Sequence, residues 1–246
     1  MAERSSFHRL MATSSPASMI RKKEGMFMKI HQLELFIGNY EETVAFYQDT
    51  MGFTCRKNGE GSTDMEVGSG TVTFHKKSGV DCYYHFALNI PFNLFDSAKA
   101  YMAERVTLAK EDDEDEVFFK ESKARSFYFL DPAGNIVEFI AREGLNPDSE
   151  AGSFSPSEVL GISEIGISSE EVYQCSKEVT GKGIPARNDR PLSNGETLNF
   201  MGEAEDGAFI IIARAGRRWI FSDKPGLPAP TIVKTDRGTM TFHLSG

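Results

Sequence analysis

Cysteine is scarce in this chain: three in 246 residues, Cys55, Cys82 and Cys175, far apart and odd in number. No C-x-x-C pair occurs, so neither a disulfide framework nor a thiolate zinc site is suggested. Reduced thiols in a cytoplasmic protein are the plain reading. Long apolar runs are missing too. No stretch reaches the roughly eighteen apolar residues that a membrane-crossing helix needs. Basic residues are the minority, 27 Lys+Arg against 36 Asp+Glu, and a net charge of -9 gives no general pull on a phosphate backbone. Nucleic acid and membrane are therefore not expected partners. What is present is ordinary globular composition, 40% hydrophobic and 26% charged, in a chain long enough to bury a core without staples.

Residues 1–27 are Ser-rich and basic, without helical or strand period and without the apolar centre of a secretory signal. Lys23-Glu24-Gly25 can be encoded by a purine run resembling a bacterial ribosome-binding sequence. The expectation is a leader outside the fold, with the natural start at Met28.

From there a pattern repeats. Residues 29–37 read as a strand, and Asn39 with Glu42 three later resembles a capping box opening a helix with Val44, Tyr47 and Met51 on one stripe. Glycine-punctuated strands follow around 54–57, 64–67 and 70–76. The second copy begins with Y-Y-H-F-A-L-N-I, continues with a helix over 91–105, and ends in strands near 117–120, 124–130 and 135–141. The acidic tip E-D-D-E-D-E at 111–116 reads as a solvated loop. A third, weaker copy starts at G-I-S-E-I-G-I, with a helix over 168–182 and strands at 197–201 and 208–214. A Pro-rich tail ends in one further strand. The fold class is α+β, built of repeated βαβββ modules. The domains are the 1–27 leader, a two-module unit over 28–146, and a degenerate third module over 155–246.

Three segments carry a family likeness: K-I-H-Q-L-E-L with the following helix ending in F-Y-Q-D-T-M-G-F, Y-H-F-A-L, and S-F-Y-F-L-D-P-A-G-N-I-V-E-F. They resemble the vicinal oxygen chelate superfamily, which includes glyoxalase I, fosfomycin-resistance enzymes, extradiol dioxygenases and bleomycin-resistance proteins. The resemblance covers roughly residues 29–142, and the D-P-x-G-N turn with a glutamate after it is its most specific part. It implies that two modules pair as half-barrels around a divalent metal (Fe, Mn, Ni or Zn). The implied ligands are His31, His85 and Glu138, with Thr73 at a fourth position that lacks a carboxylate. Tyr128 and His75 are candidate catalytic residues beside them.

Parity supports part of this. Glu138 falls between Ile136 and Ile140 on one strand face, where an unpaired charge is costly to bury. The residues also allow plainer roles. His31 fits a hydrogen-bonded core histidine, Glu138 a partner of Arg125, Tyr128 a packed aromatic, and His75 a surface residue beside Lys76 and Lys77. Aligning the third copy puts Ser163 at the His31 position and Ile211 at the Glu138 position, so that module is expected to hold no metal in the same manner. It is expected to pack, covering the cleft or pairing with a second copy as a homodimer. Arg217, Arg218 and Trp219 fit surface packing or contact with an anionic ligand.

Two functions follow. One is a metal-dependent lyase, isomerase or dioxygenase acting on a small molecule with vicinal oxygens. The other is a metal-free protein that sequesters a small molecule, as bleomycin-resistance relatives do.

Overall fold

The computed structural model describes residues 28–79 and 81–243; the leader expected over 1–27 lies outside them. The fold is α+β with strands dominating. The first module is β1 (Ile30–Ile37), α1 (Tyr40–Ala45), β2 (Cys55–Lys57), β3 (Ser62–Val67) and β4 (Gly70–Lys76). The second is β5 (His85–Asn89), α2 (Phe95–Ala103), β6 (Val117–Phe119), β7 (Ala124–Leu130) and β8 (Ile136–Arg142). The third has one strand fewer: β9 (Gly161–Ser169), α3 (Val172–Gly181), β10 (Asn199–Met201) and β11 (Phe209–Arg214). The Pro-rich tail forms not one strand but a hairpin, β12 (Thr231–Thr235) with β13 (Gly238–Phe242).

Alternation along the strands explains the layers. Leu33, Leu35 and Ile37 of β1, Phe86 and Leu88 of β5, and Val137, Phe139 and Ala141 of β8 enter one continuous core with the helices. The intervening residues face concave surfaces. Helix α1 and the turn that continues it contribute Thr43, Tyr47 and Met51, all fully buried, while Val44 is only half-buried. A π-type turn over Phe46–Thr50 shifts the buried stripe to that four-residue spacing. Asn39 caps no backbone N–H; its amide donates to the Glu42 carboxylate and the Pro132 carbonyl.

The strands form one 13-stranded sheet whose two runs meet at a bridge between Ile30 and Ile162. One run is β2-β3-β4-β1-β12-β13 and the other β6-β7-β8-β5-β9-β11-β10. The second module therefore pairs with the third, through antiparallel β5 and β9. The pairing of first and second modules expected within 28–146 is replaced: the place beside β1 is taken by β12 from the far end of the chain. Loop closure is entropically cheap even across long separations, and β12 offers Val233 to the same core. β1, β5 and β9 are each paired along both edges, so none of the three offers a bare edge to a second copy.

Candidate metal centre

The D-P-A-G-N turn positions the site. Asp131 is buried and accepts hydrogen bonds from the Asn135 backbone N–H at 2.9 Å, the Asn135 amide at 2.8 Å and the Tyr47 hydroxyl at 2.8 Å. Asn135 Oδ1 in turn accepts from the Tyr84 N–H at 2.8 Å. The turn thus ties the β7–β8 hairpin to the start of β5, with Gly134 supplying the left-handed residue at φ +78°. Burial pushes the Asp131 carboxyl up to about 6.

With β5 held parallel to β8, Ala87 lies opposite Glu138 and His85 opposite Ile136. The His85 Nδ1–H donates to the Ile136 carbonyl at 3.1 Å, which leaves the Nε2 lone pair free on the concave side. That Nε2 lies 3.5 Å from Glu138 Oε2. Burial lowers the His85 pKa, so the ring is held neutral.

The third member comes from the third module. Donor atoms of His85, Glu138 and Glu164 all lie within 4.8 Å of one another, and all three residues are buried. Glu164 reaches the cleft through a β-bulge: Ala87 pairs with Glu164 but Leu88 with Ile162, so Ser163 is an extra residue. Ile162 and Ile165 both enter the core, and Ser163 and Glu164 both reach Arg142 on the cleft side. The third module, expected to hold no metal in the manner of the first two, thus places a carboxylate beside His85 and Glu138 through that bulge. Ile211 stands, as aligned, opposite Gly166 in the position that Glu138 holds opposite Ala87.

A first-row divalent ion, with ligand bonds near 2.0–2.2 Å, places neighbouring donors about 3 Å apart, and the 3.5 Å between His85 Nε2 and Glu138 Oε2 is near that spacing. Arg142 Nη2 donates to Glu164 Oε1 at 2.6 Å and fixes that carboxylate, while Oε2 has no hydrogen bond among the described residues. Burial and the adjacent Glu164 charge push the Glu138 carboxyl up to about 8. Two carboxyls crowded in a dry site next to a neutral imidazole form a donor set that a cation would relieve.

The first module is different. His31 is about half exposed and lies 2.5 Å from Asp236 in the β12–β13 turn. A bulge between Ile30 and Gln32 turns it out of the Leu33–Leu35 face. It is also two strand positions from β5, roughly 10 Å across the sheet before any offset along it. The metal role expected for His31 is therefore not supported, and it does not join His85 and Glu138. Register shows why: Glu34 is opposite Thr73 as Ala87 is opposite Glu138, so Gln32, not His31, is the counterpart of His85. In this module Lys234 Nζ sits 2.8 Å from Glu34 and 2.9 Å from Gln32. His75 is 2.7 Å from Glu34 and stacked on Phe36, so it is not at the cleft, contrary to the role expected of it. Tyr128 is at the cleft, directly across from Glu138 on β7 and 1% exposed. Burial first, then the two glutamates, hold its phenol well above the ordinary value.

A cavity of about 320 Å³ opens over the triad. Phe119, Phe200, Trp219 and Ile211 form much of its wall, and Arg142 and Arg187 also line it. The segment after β11 acts as a strap. Trp219 lies on the His85 ring, centroids 5.0 Å apart, and Phe221 stacks on Tyr128 at 4.5 Å. Glu111 pins the strap, accepting from Arg218 and, at 2.9 Å, from the Phe221 N–H. One residue of the acidic tip is therefore a structural tether rather than part of a solvated loop.

Residues 29–139 match the model of the Glyoxalase/Bleomycin resistance protein/Dioxygenase superfamily. That stretch, a little under half of the chain, is similar to this superfamily. Residues 162–217, which include Glu164, Arg187 and Phe200, match the model of a toxoflavin-degrading enzyme. Among solved structures, a putative dioxygenase from Bacillus subtilis is 15% identical with a TM-score of 0.51, over 75% of this chain and 63% of that one. A glyoxalase I variant from Zea mays is 15% identical with a TM-score of 0.51, over 76% of this chain and 67% of that one. These likenesses concern the fold. No curated protein matches the chain. No helix among the described residues is long and apolar enough to cross a membrane.

Proposed function

We propose that the chain is a divalent-metal-dependent enzyme acting on a small substrate through vicinal oxygens, with His85, Glu138 and Glu164 as the metal ligands. The carrying observation is the convergence of those three donor sets at the floor of one cavity. A bound cation would supply Lewis acidity toward a substrate oxygen. The chain's own residues supply the rest. Arg142 orients Glu164, the Ile136 carbonyl fixes the His85 tautomer, and Tyr128 keeps its proton and offers it to an oxygen seated near Glu138. Trp219 and Phe221 cover the triad against water. The two matching family models support chemistry on a small oxygen-bearing molecule, and the match of residues 162–217 to a toxoflavin-degrading enzyme favours a degradative reaction on a ring compound. Three scattered thiols keep a cytoplasmic setting as part of this reading.

The test is metal analysis of protein purified without chelator. One equivalent of Fe, Mn, Ni or Zn, lost in Glu164→Gln and His85→Ala, supports the reading; stoichiometric metal retained in both variants rejects the ligand set. A second reading, a metal-free binder, is favoured by one observation. Arg142 already pairs with Glu164, and burial keeps Glu138 protonated, so the triad with its arginine partner is balanced in charge without a cation. Metal-free protein that still takes ligands in this cavity would select it.

A further inference from the structure

We infer that the cavity takes a planar anion, an aromatic or heteroaromatic acid, and that Arg187 is its specificity-determining residue. The inference rests on the reading of the cavity as a substrate site and narrows the substrate class. Arg187 begins a short turn after α3 whose next two residues, Asn188 and Asp189, hold positive φ of 57° and 51°. Its half-buried guanidinium lies over the Phe200 ring, 4.3 Å from the centroid, and faces the cavity. No carboxylate pairs with it and no hydrogen bond reaches its side chain among the described residues, whereas the neighbouring Arg190 pairs with Glu121. Burial disfavours that bare charge. Arg142, deeper in, is by contrast committed, its two terminal nitrogens donating to Asn89, Ser163 and Glu164. An unpaired guanidinium on a cavity wall is complementary to an oxygen anion, and its fork suits a carboxylate or an enolate edge.

Charge counting agrees. Arg142 is already paired with Glu164, which leaves Arg187 as the cation on the cavity wall without a counter-charge among the described residues. The walls choose the shape. Phe119, Phe200 and Trp219 present ring faces, and about 320 Å³ is at the small end for ligand pockets. A flat ring with an anionic edge toward Arg187 and its vicinal oxygens toward the triad satisfies both ends.

The experiment titrates the Mn2+-loaded full chain calorimetrically with salicylate and with its neutral isostere salicylamide. Salicylate should bind about tenfold or more tightly than salicylamide. Arg187→Met should remove that preference without changing salicylamide affinity, and Arg187→Lys should restore part of it. Equal affinities for the two probes, no binding of either at millimolar concentration, or an unchanged preference in Arg187→Met would overturn the inference. Mn2+ uptake, read separately by electron paramagnetic resonance, addresses the metal reading. If no Mn2+ is taken up, that reading falls, and the same titrations on the metal-free chain decide the anion site by the same criteria.

Discussion

Trp219 rests against the His85 imidazole, and it is the chain's single tryptophan. Its fluorescence therefore reports on the candidate metal site without labelling. Titration with Co2+ or Ni2+ should quench it with saturation at one equivalent. In His85→Ala or Glu164→Gln the apparent affinity should fall by at least about 100-fold. His31→Ala, altered on the far side of β9, should titrate like the parent chain. Quenching lost in His31→Ala and kept in Glu164→Gln would contradict the assigned ligands.

Proton linkage gives a second expectation. The Glu138 carboxyl sits at about 8 in the folded chain against an ordinary 4.5, so the metal-free native state keeps its proton at neutral pH. Native protein then holds more protons than unfolded protein between those values, and stability should fall as pH rises from about 4.5 toward about 8. Asp131, at about 6 against an ordinary 3.8, adds a loss of the same sign lower in that range. Metal uptake needs the carboxylate, so binding at pH 7 should release about one proton. Calorimetry in buffers of different ionisation enthalpy measures that number; zero release would argue against Glu138 as a ligand.

Gly166 lets the strap lie down. A methyl at this position would meet the Trp219 ring at 2.7 Å and the His85 Cβ at 3.3 Å. Gly166→Ala should lift the indole, red-shift its emission and weaken metal-dependent quenching, while far-ultraviolet circular dichroism stays unchanged. Unaltered emission would mean that Trp219 does not pack there.

Glu111→Gln tests the tether from the other end. It removes the charge that Arg218 meets and weakens the acceptor for the Phe221 N–H. Acrylamide should reach Trp219 more readily, and the difference from the parent should shrink in high salt, where screening already weakens the exposed pair. Accessibility identical to the parent at low salt would show that the aromatic contacts alone hold the strap.

Asn135→Ala strikes the turn. The residue is fully buried and makes four hydrogen bonds, three with Asp131 and one from the Tyr84 N–H, that tie the turn to the start of β5. The two bonds through its backbone survive the substitution, while Asp131 and the Tyr84 N–H each lose a side-chain partner. A loss of about 2–4 kcal/mol is expected in chemical denaturation. A loss below about 0.5 kcal/mol would show that the turn does not organise the site.

Much of the architecture was legible because strands with one buried face advertise it by alternation, as in β5 and β8, and because D-P-A-G-N encodes a turn with a specific hydrogen-bond pattern. His85, Glu138 and Tyr128 could be placed for that reason. Glu164 could not. It is next to the aligned position, and the one-residue bulge that brings it to the cleft leaves no mark in composition; the hint available was a lone acid between Ile162 and Ile165. The same one-residue slip made His31 look like the counterpart of His85, when register gives that role to Gln32. Partner choice among modules was equally hidden. Nothing local in β1 says that its neighbour is a strand of the tail rather than a strand of the next repeat.

That partnership has a consequence for how the chain is made. The backbone N–H of Lys29 bonds to Asp236, 207 residues away. A growing polypeptide therefore carries one side of β1 bare until β12 has been made. Such an edge invites pairing with neighbours on the same messenger, and the late arrival of β12, not the first collapse, is what closes it against aggregation.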